Sequence, residues 1–224
     1  MKLVLFDVDG TLVNSQHEIA HAMNQGLHAA GLPEMEPAEI LSIVGLSLPI
    51  AVARLLPGAS AEMHERVVLG YREAFATARA NGAVPPLYPG ALDCLDALAS
   101  LDHVLLGIAT GKPMRGLTAL LEAHGLTGRF FTRQTADGHP SKPHPAMLES
   151  ALFDAGLGPE DAVMVGDTVF DIEMARAAGM TAFGVDWGYH PTADLHAAGA
   201  ALVALDYPSL TQALMDWAKL EHAA

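Results

Sequence analysis

Cysteine is almost absent: Cys94 is the single one in 224 residues. An internal disulfide is excluded, and the chain fits a reducing compartment. Cys94 lies in a helical pattern and reads as a packed thiol. Positive charge is scarce as well. Twelve Lys and Arg stand against twenty-six Asp and Glu, a formal net charge of −14, which disfavours nucleic acid and anionic membranes as partners. There is no apolar stretch of about 18 residues, and no charged leader with an apolar segment and cleavage site, so no membrane span or signal peptide is expected. The expected address is the cytoplasm, as a monomer or homodimer. Charged residues make up only 17% of the chain and hydrophobic ones 51%, which disfavours disorder and supplies a sizeable core. The length suits one large domain or a domain with an insert.

What is present begins at the first residues. The apolar run Leu3-Val4-Leu5-Phe6 stops at Asp7, and Asp9-Gly10-Thr11 follows. A short apolar run bounded by turn residues reads as a buried strand. Two carboxylates at its end are costly unless something positive compensates them. From Ser15 to about residue 82 the pattern is helical throughout. Ser15 and Glu18 have capping-box spacing, Pro37 opens a short helix, and helices over 50–56 and 60–80 follow. The Pro- and Gly-rich stretch 83–90 reads as a linker. Beyond it helices alternate with apolar runs at 104–109, near 130–132, and at 162–165, 181–185 and 201–203. That alternation predicts an α/β fold: a doubly wound parallel sheet. The first strand belongs with this half, so residues 1–14 and 84–224 form the core and 15–83 an inserted α-helical cap domain.

Ligands of open parallel sheets bind outside the carboxyl ends of the strands. The first run ends in Asp7 and Asp9, the second in Thr110-Gly111-Lys112. The stretch after the third leads to Ser141-Lys142-Pro143, and the fourth ends in Gly166-Asp167, with Asp171 close behind. Clustered carboxylates suit a hard cation such as Mg²⁺ beside a substrate phosphate; Asp7 and Asp167 can supply it, with Asp171 a further candidate. A strand-end carboxylate can also act as a nucleophile, and Asp9 as a general acid/base. The Thr110 hydroxyl and the Gly111 N–H, just before a helix, can take phosphate oxygens, and Lys142 adds a point charge. Four aspartates give −4, and Mg²⁺ with Lys142 gives +3. With Asp9 protonated the balance is zero, which lets an acidic protein accept an anion.

These four segments resemble, in order, the four motifs of the haloacid dehalogenase-like (HAD) hydrolase superfamily, whose Rossmann-like core the fold expectation matches. The helical insert resembles that family's small cap. The resemblance implies that Asp7 is the nucleophile and Asp9 the acid/base. It implies that Thr110 and Lys142 bind the phosphoryl group, and that Mg²⁺ is held by Asp7, the backbone carbonyl of Asp9 and Asp167, with Asp171 supporting it directly or through water. Within the superfamily the chain is most similar to phosphoglycolate phosphatases, whose cap loop Val44-Gly45-Leu46-Ser47-Leu48 resembles. The implied activity is Mg²⁺-dependent hydrolysis of a small phosphorylated metabolite, 2-phosphoglycolate first among the candidates. The alternatives are a phosphosugar mutase of the β-phosphoglucomutase type, a pyrophosphatase and a 2-haloacid dehalogenase. Dehalogenases lack an acid at the position of Asp9, and the mutases carry an arginine where Leu48 stands.

Other polar residues read as structural. Lys112, Arg54 and Arg115 are expected on helix or loop surfaces, although either arginine can reach a substrate carboxylate. His17 reads as helix surface, and His139 and His144 lack a zinc-ligand pattern such as His-Glu-x-x-His. Trp187 and Tyr189 border the cleft or pack beneath the last helices. A non-enzymatic role is disfavoured because every reactive residue is present.

Overall fold

The computed structural model describes residues 1–219. Six strands, β1 (Lys2–Phe6), β2 (Val104–Thr110), β3 (Thr132–Thr135), β4 (Ala162–Gly166), β5 (Thr181–Val185) and β6 (Leu202–Ala204), form one parallel sheet in the order β3-β2-β1-β4-β5-β6. β1 is central, with Phe6 opposite Ile108 on one side and Val165 on the other. Its continuous apolar run follows from burial on both faces. Val4 and Phe6 point into one apolar cluster, and Leu3 and Leu5 into a second. Helices α5 (Ala91–Ala99), α6 (Met114–Ala123) and α10 (Tyr207–Ala218) cover the first face. Helices α7 (Ala146–Ala155), α8 (Val169–Ala177) and α9 (Thr192–Ala198) cover the second. Among the described residues no helix is long and apolar enough to cross a membrane.

Between β1 and α5 the chain forms four helices, α1 (Gln16–Ala29), α2 (Pro37–Leu41), α3 (Leu48–Leu55) and α4 (Ala61–Ala80). They enclose a third apolar cluster that includes Met23, Leu27, Ile40, Val52 and Val67. The two connections to the sheet run side by side: the Asn14 N–H donates to the Pro86 carbonyl and the Tyr88 N–H to the Leu12 carbonyl, both at 2.9 Å. One buried core residue reaches into the helical block, beside the partly buried Val169 and Tyr189. Phe170, on α8, is buried in the third cluster, with the Arg54 guanidinium over its ring and His190 at its edge. Arg54 is therefore stacked on an aromatic face.

The third strand lies two residues beyond its expected place. Phe130 tucks into the core and Phe131 is exposed, while the strand itself is the polar segment Thr132-Arg133-Gln134-Thr135 at the sheet edge. An edge strand needs no apolar run, so an apolar-run criterion passes it by. α7 starts at Ala146 because Pro145 occupies its N-cap position.

Phe170→Ala removes the buried phenyl ring that the core lends to the helical block. Urea unfolding should show a loss of about 3–5 kcal/mol, the range for a buried Phe-to-Ala change; a loss under about 1 kcal/mol would mean that the ring does not couple the two parts.

Candidate active site

The strand order reverses between β1 and β4, and such a switch point opens a crevice at the carboxyl ends of the strands. Asp7 leaves β1 there and Asp167 leaves β4 beside it; the Asp7 N–H donates to the Val165 carbonyl at 2.9 Å. The loop after β3 brings in Lys142, which is 1% exposed. Its ammonium donates to Asp171 Oδ1 at 2.6 Å and stands 2.9 Å from Asp7 Oδ1. The second contact is an ion pair by distance but lacks hydrogen-bond geometry, and Asp7 Oδ1 is left without a hydrogen-bond donor. Burial opposes the charge on Lys142, but Asp171 and Asp7 outweigh it and raise its pKa above the ordinary lysine value. Asp7 is pushed up to about 7, first by burial and then by the neighbouring carboxylates of Asp171 and Asp9, with Lys142 pulling the other way.

Asp167 is fully buried. Thr11 Oγ1 donates to its Oδ1 and the Tyr189 N–H to its Oδ2, both at 2.9 Å. Burial, with Asp171 and Asp7 nearby, raises its pKa well above the usual carboxylate range. Two glycines enclose it. A Cβ on Gly10, whose φ is +89°, would lie 2.2 Å from Asp167 Oδ2, and one on Gly188 would lie 2.1 Å from the Asp167 Cβ. Only glycine fits either place. The loop that carries Gly188 and Tyr189 is fixed from below, since Trp187 Nε1 and the Tyr207 hydroxyl both donate to the Thr11 carbonyl.

Carboxylate oxygens of Asp7, Asp167 and Asp171 come within 4.8 Å of one another. Three buried carboxylates face one ammonium, two of them have raised pKa values, and one oxygen has no donor. Each of these features is relieved by a divalent cation, so the donor set fits one with oxygen ligands. Asp171 is the most committed of the three. Besides Lys142 it accepts from the Thr168 N–H at 3.1 Å and the Thr168 hydroxyl at 2.7 Å, which closes the capping box of α8.

Asp9 stands above this floor, 8% exposed, and two side chains meet on it. Lys112 Nζ is 2.9 Å from its Oδ2. The Ser15 hydroxyl donates to its Oδ1 at 2.7 Å and is itself 3.0 Å from the Tyr189 hydroxyl. Lys112 is thus not a surface residue: its side chain is 12% exposed, and its ammonium lies over the Phe75 ring of α4. Ser15 occupies the N-cap position of α1 but makes no side-chain cap bond, because its hydroxyl is engaged by Asp9. The capping-box expectation fails for that reason. Thr110 is buried at the end of β2 and accepts from the Lys112 N–H at 3.2 Å. Three residues separate it from α6, so it is less close to a helix end than its sequence suggests.

Asp7, Asp9, Thr110 and Gly111 line one cavity of about 540 Å³ between the sheet edge and the helical block. The segment Val44–Leu48 forms part of its roof. Gly111 abuts that segment so closely that a Cβ would lie 2.5 Å from the Gly45 carbonyl oxygen, and the Ser47 N–H donates to Ser141 Oγ at 2.8 Å. Arg115 lines the cavity, whereas His17 and His144 are exposed away from it. Sequence reasoning missed the roles of Lys112, Ser15 and Gly188, whereas Tyr189 borders the cleft, one of its two expected places. Lys112 follows directly on Thr110-Gly111, which is a usable signal. Ser15 and Gly188 are brought in by tertiary folding alone.

Comparison with known proteins gives concordant results. A sequence profile of the haloacid dehalogenase-like hydrolases matches residues 4–185. The chain is 37% identical over 201 residues to a protein of Dickeya dadantii named probable phosphatase IndB, covering 88% of this chain and 86% of that one. It is 33% identical over 205 residues to a phosphoglycolate phosphatase of Mannheimia succiniciproducens, covering 87% of this chain and 91% of the relative. The crystal structure of a hydrolase from Pseudomonas syringae superposes with a TM-score of 0.85 at 25% identity, over 96% of this chain and 99% of the other.

Gly188→Ala places a methyl group inside the Asp167 side chain. Thermal or urea unfolding should register about 1–3 kcal/mol of destabilisation, the cost of overpacking; a variant of unchanged stability would show that the 187–189 loop does not confine Asp167.

Proposed function

The chain belongs to the haloacid dehalogenase-like hydrolases, and within that family we propose that it is a Mg²⁺-dependent phosphatase that hydrolyses a small phosphate monoester through an aspartyl-phosphate on Asp7. One arrangement carries this reading: a buried carboxylate, Asp7, backed by a buried ammonium, with a second carboxylate, Asp9, two residues on and above it. A nucleophile alone would also serve dehalogenation. The acid beside it serves an alkoxide leaving group, which halide is not.

In the first step an Asp7 oxygen attacks phosphorus in line while the ester oxygen departs with its electron pair and takes a proton from Asp9. In the second, Asp9 takes a proton from water, the water oxygen attacks phosphorus, and the bond to Asp7 breaks to release inorganic phosphate. Lys142 holds Asp7 in place and offers positive charge to the phosphoryl oxygens; Thr110 and the Gly111 N–H offer hydrogen bonds from the side. Asp7, Asp167 and the backbone carbonyl of Asp9 would hold Mg²⁺, with Asp171 behind them fixing Lys142. Bound there, the cation supplies two positive charges against those of the phosphoryl group. Phosphoryl transfer gains mainly from such positioning and neutralisation.

Residues 15–83 act in this reading as a cap on a core of residues 1–14 and 84–224. The two connections, bridged at Val13 and Leu87, are the hinge, and closure excludes bulk water. 2-Phosphoglycolate is the first substrate to try, because relatives of about this similarity bear the name of its phosphatase. The cytoplasm is the proposed place of action, in keeping with a free buried cysteine.

EDTA should abolish turnover of p-nitrophenyl phosphate and added Mg²⁺ should restore it; full activity in metal-free buffer would refute the metal requirement. Asp7→Asn should fold normally by circular dichroism and show no turnover above background. Retained turnover in that variant would remove Asp7 from the role of nucleophile.

A further inference from the structure

The wall of the cavity holds more positive charge than the chemistry at phosphorus uses. Four of the chain's twelve Lys and Arg line it: Lys112 and Arg115 after β2, and Arg72 and Arg79 on the second half of α4. Lys112 is neutralised by Asp9. Among the described residues Arg72, Arg79 and Arg115 pair with no carboxylate, in a protein that carries twenty-six acids. Three unpaired arginines around one cavity of so acidic a molecule form a local anion-binding field.

Two of these arginines share one face of a helix. Arg72, Phe75, Ala76 and Arg79 stand at i, i+3, i+4 and i+7, one stripe of α4, and all four line the cavity. At a rise of 1.5 Å per residue the two arginines are about 10 Å apart along the helix axis. Their long, flexible side chains let both guanidinium groups converge on one anion held against this face of the helix. Between them Phe75 and Ala76 present apolar surface. A cavity of about 540 Å³ lies in the range of pockets that enclose a sizeable organic ligand.

We propose that the preferred substrate is a phosphate monoester longer than 2-phosphoglycolate, bearing a second anionic group, carboxylate or phosphate, at the end remote from the scissile bond. Arg72 and Arg79 of α4, with Arg115, recognise that remote group above the apolar surface of Phe75 and Ala76. The inference rests on the phosphatase reading and narrows its substrate class. These arginines are specificity determinants and take no part in bond making.

The test compares 6-(phosphonooxy)hexanoate with its primary amide, and with 2-phosphoglycolate, on the wild-type enzyme and on the double variant Arg72→Gln/Arg79→Gln. Both positions are exposed on a helix, so the variant should keep the fold, which circular dichroism checks. The wild type should favour the long carboxylate over its amide by at least about tenfold in kcat/KM, mostly through KM, the scale of two charge-assisted contacts partly open to water. The double variant should lose that preference, and added salt should weaken it in the wild type. Equal treatment of acid and amide by the wild type would overturn the inference. So would a preference that survives the double substitution, or a higher kcat/KM for 2-phosphoglycolate than for the long acid. A wild type inactive on every ester, p-nitrophenyl phosphate included, would instead strike the phosphatase reading itself.

Discussion

Lys142 lies without solvent contact between Asp7 and Asp171, and the rest of the site depends on it. A buried ammonium is tolerable only where carboxylates surround it, and buried carboxylates only where a cation does. Here one lysine cannot neutralise three aspartates, and Asp7 and Asp167 are left with raised pKa values. That imbalance is what makes the site receptive to a divalent cation and, with it, to an anionic substrate. Asp171 completes the arrangement from the other side. It caps α8 through Thr168 and holds Lys142 with its remaining oxygen, so the start of a helix and the aim of the lysine are fixed by one side chain.

Above this floor the molecule ties its two parts together through Asp9. Ser15, the residue before α1, and Lys112, in the turn after β2, both contact one carboxyl group, and Tyr189, in the loop after β5, reaches it through the Ser15 hydroxyl. Gly111 against the Gly45 carbonyl and Phe170 within the third apolar cluster add packing to the same contact. The hydrogen bond from Ser15 to Asp9 thus lies at the connection between the sheet and the helical block.

The main lines of this structure were legible in the residues. The apolar run ending at Asp7, the alternation of runs and helices after residue 90 and the polar endings at Thr110, Lys142 and Asp167 each follow from strand geometry, and the helical block from its periodicity. The less legible features share a physical cause. β3 is polar because an edge strand needs little apolar surface, so its position was misjudged by two residues. Ser15 looked like a helix cap because spacing reports only local partners, while its true partner is brought in by the turn at Gly10. Lys112 looks like surface charge because its neighbours Thr110-Gly111 place it near the site but do not reveal that α4 folds over it. Gly188 and Tyr189 carry no motif at all; they matter because β5 lies next to β4 and its loop falls onto Asp167.

The central claim is that Asp7 becomes covalently phosphorylated over a buried lysine. Mixing the Mg²⁺-loaded enzyme with a radiolabelled phosphate ester, quenching in acid within a single turnover and mapping the peptides tests it directly. The account predicts label on the peptide that contains Asp7, acid-stable and released by hydroxylamine as an acyl phosphate should be. Label on a histidine or serine, or hydrolysis with no enzyme-bound phosphate at any quench time, would contradict it.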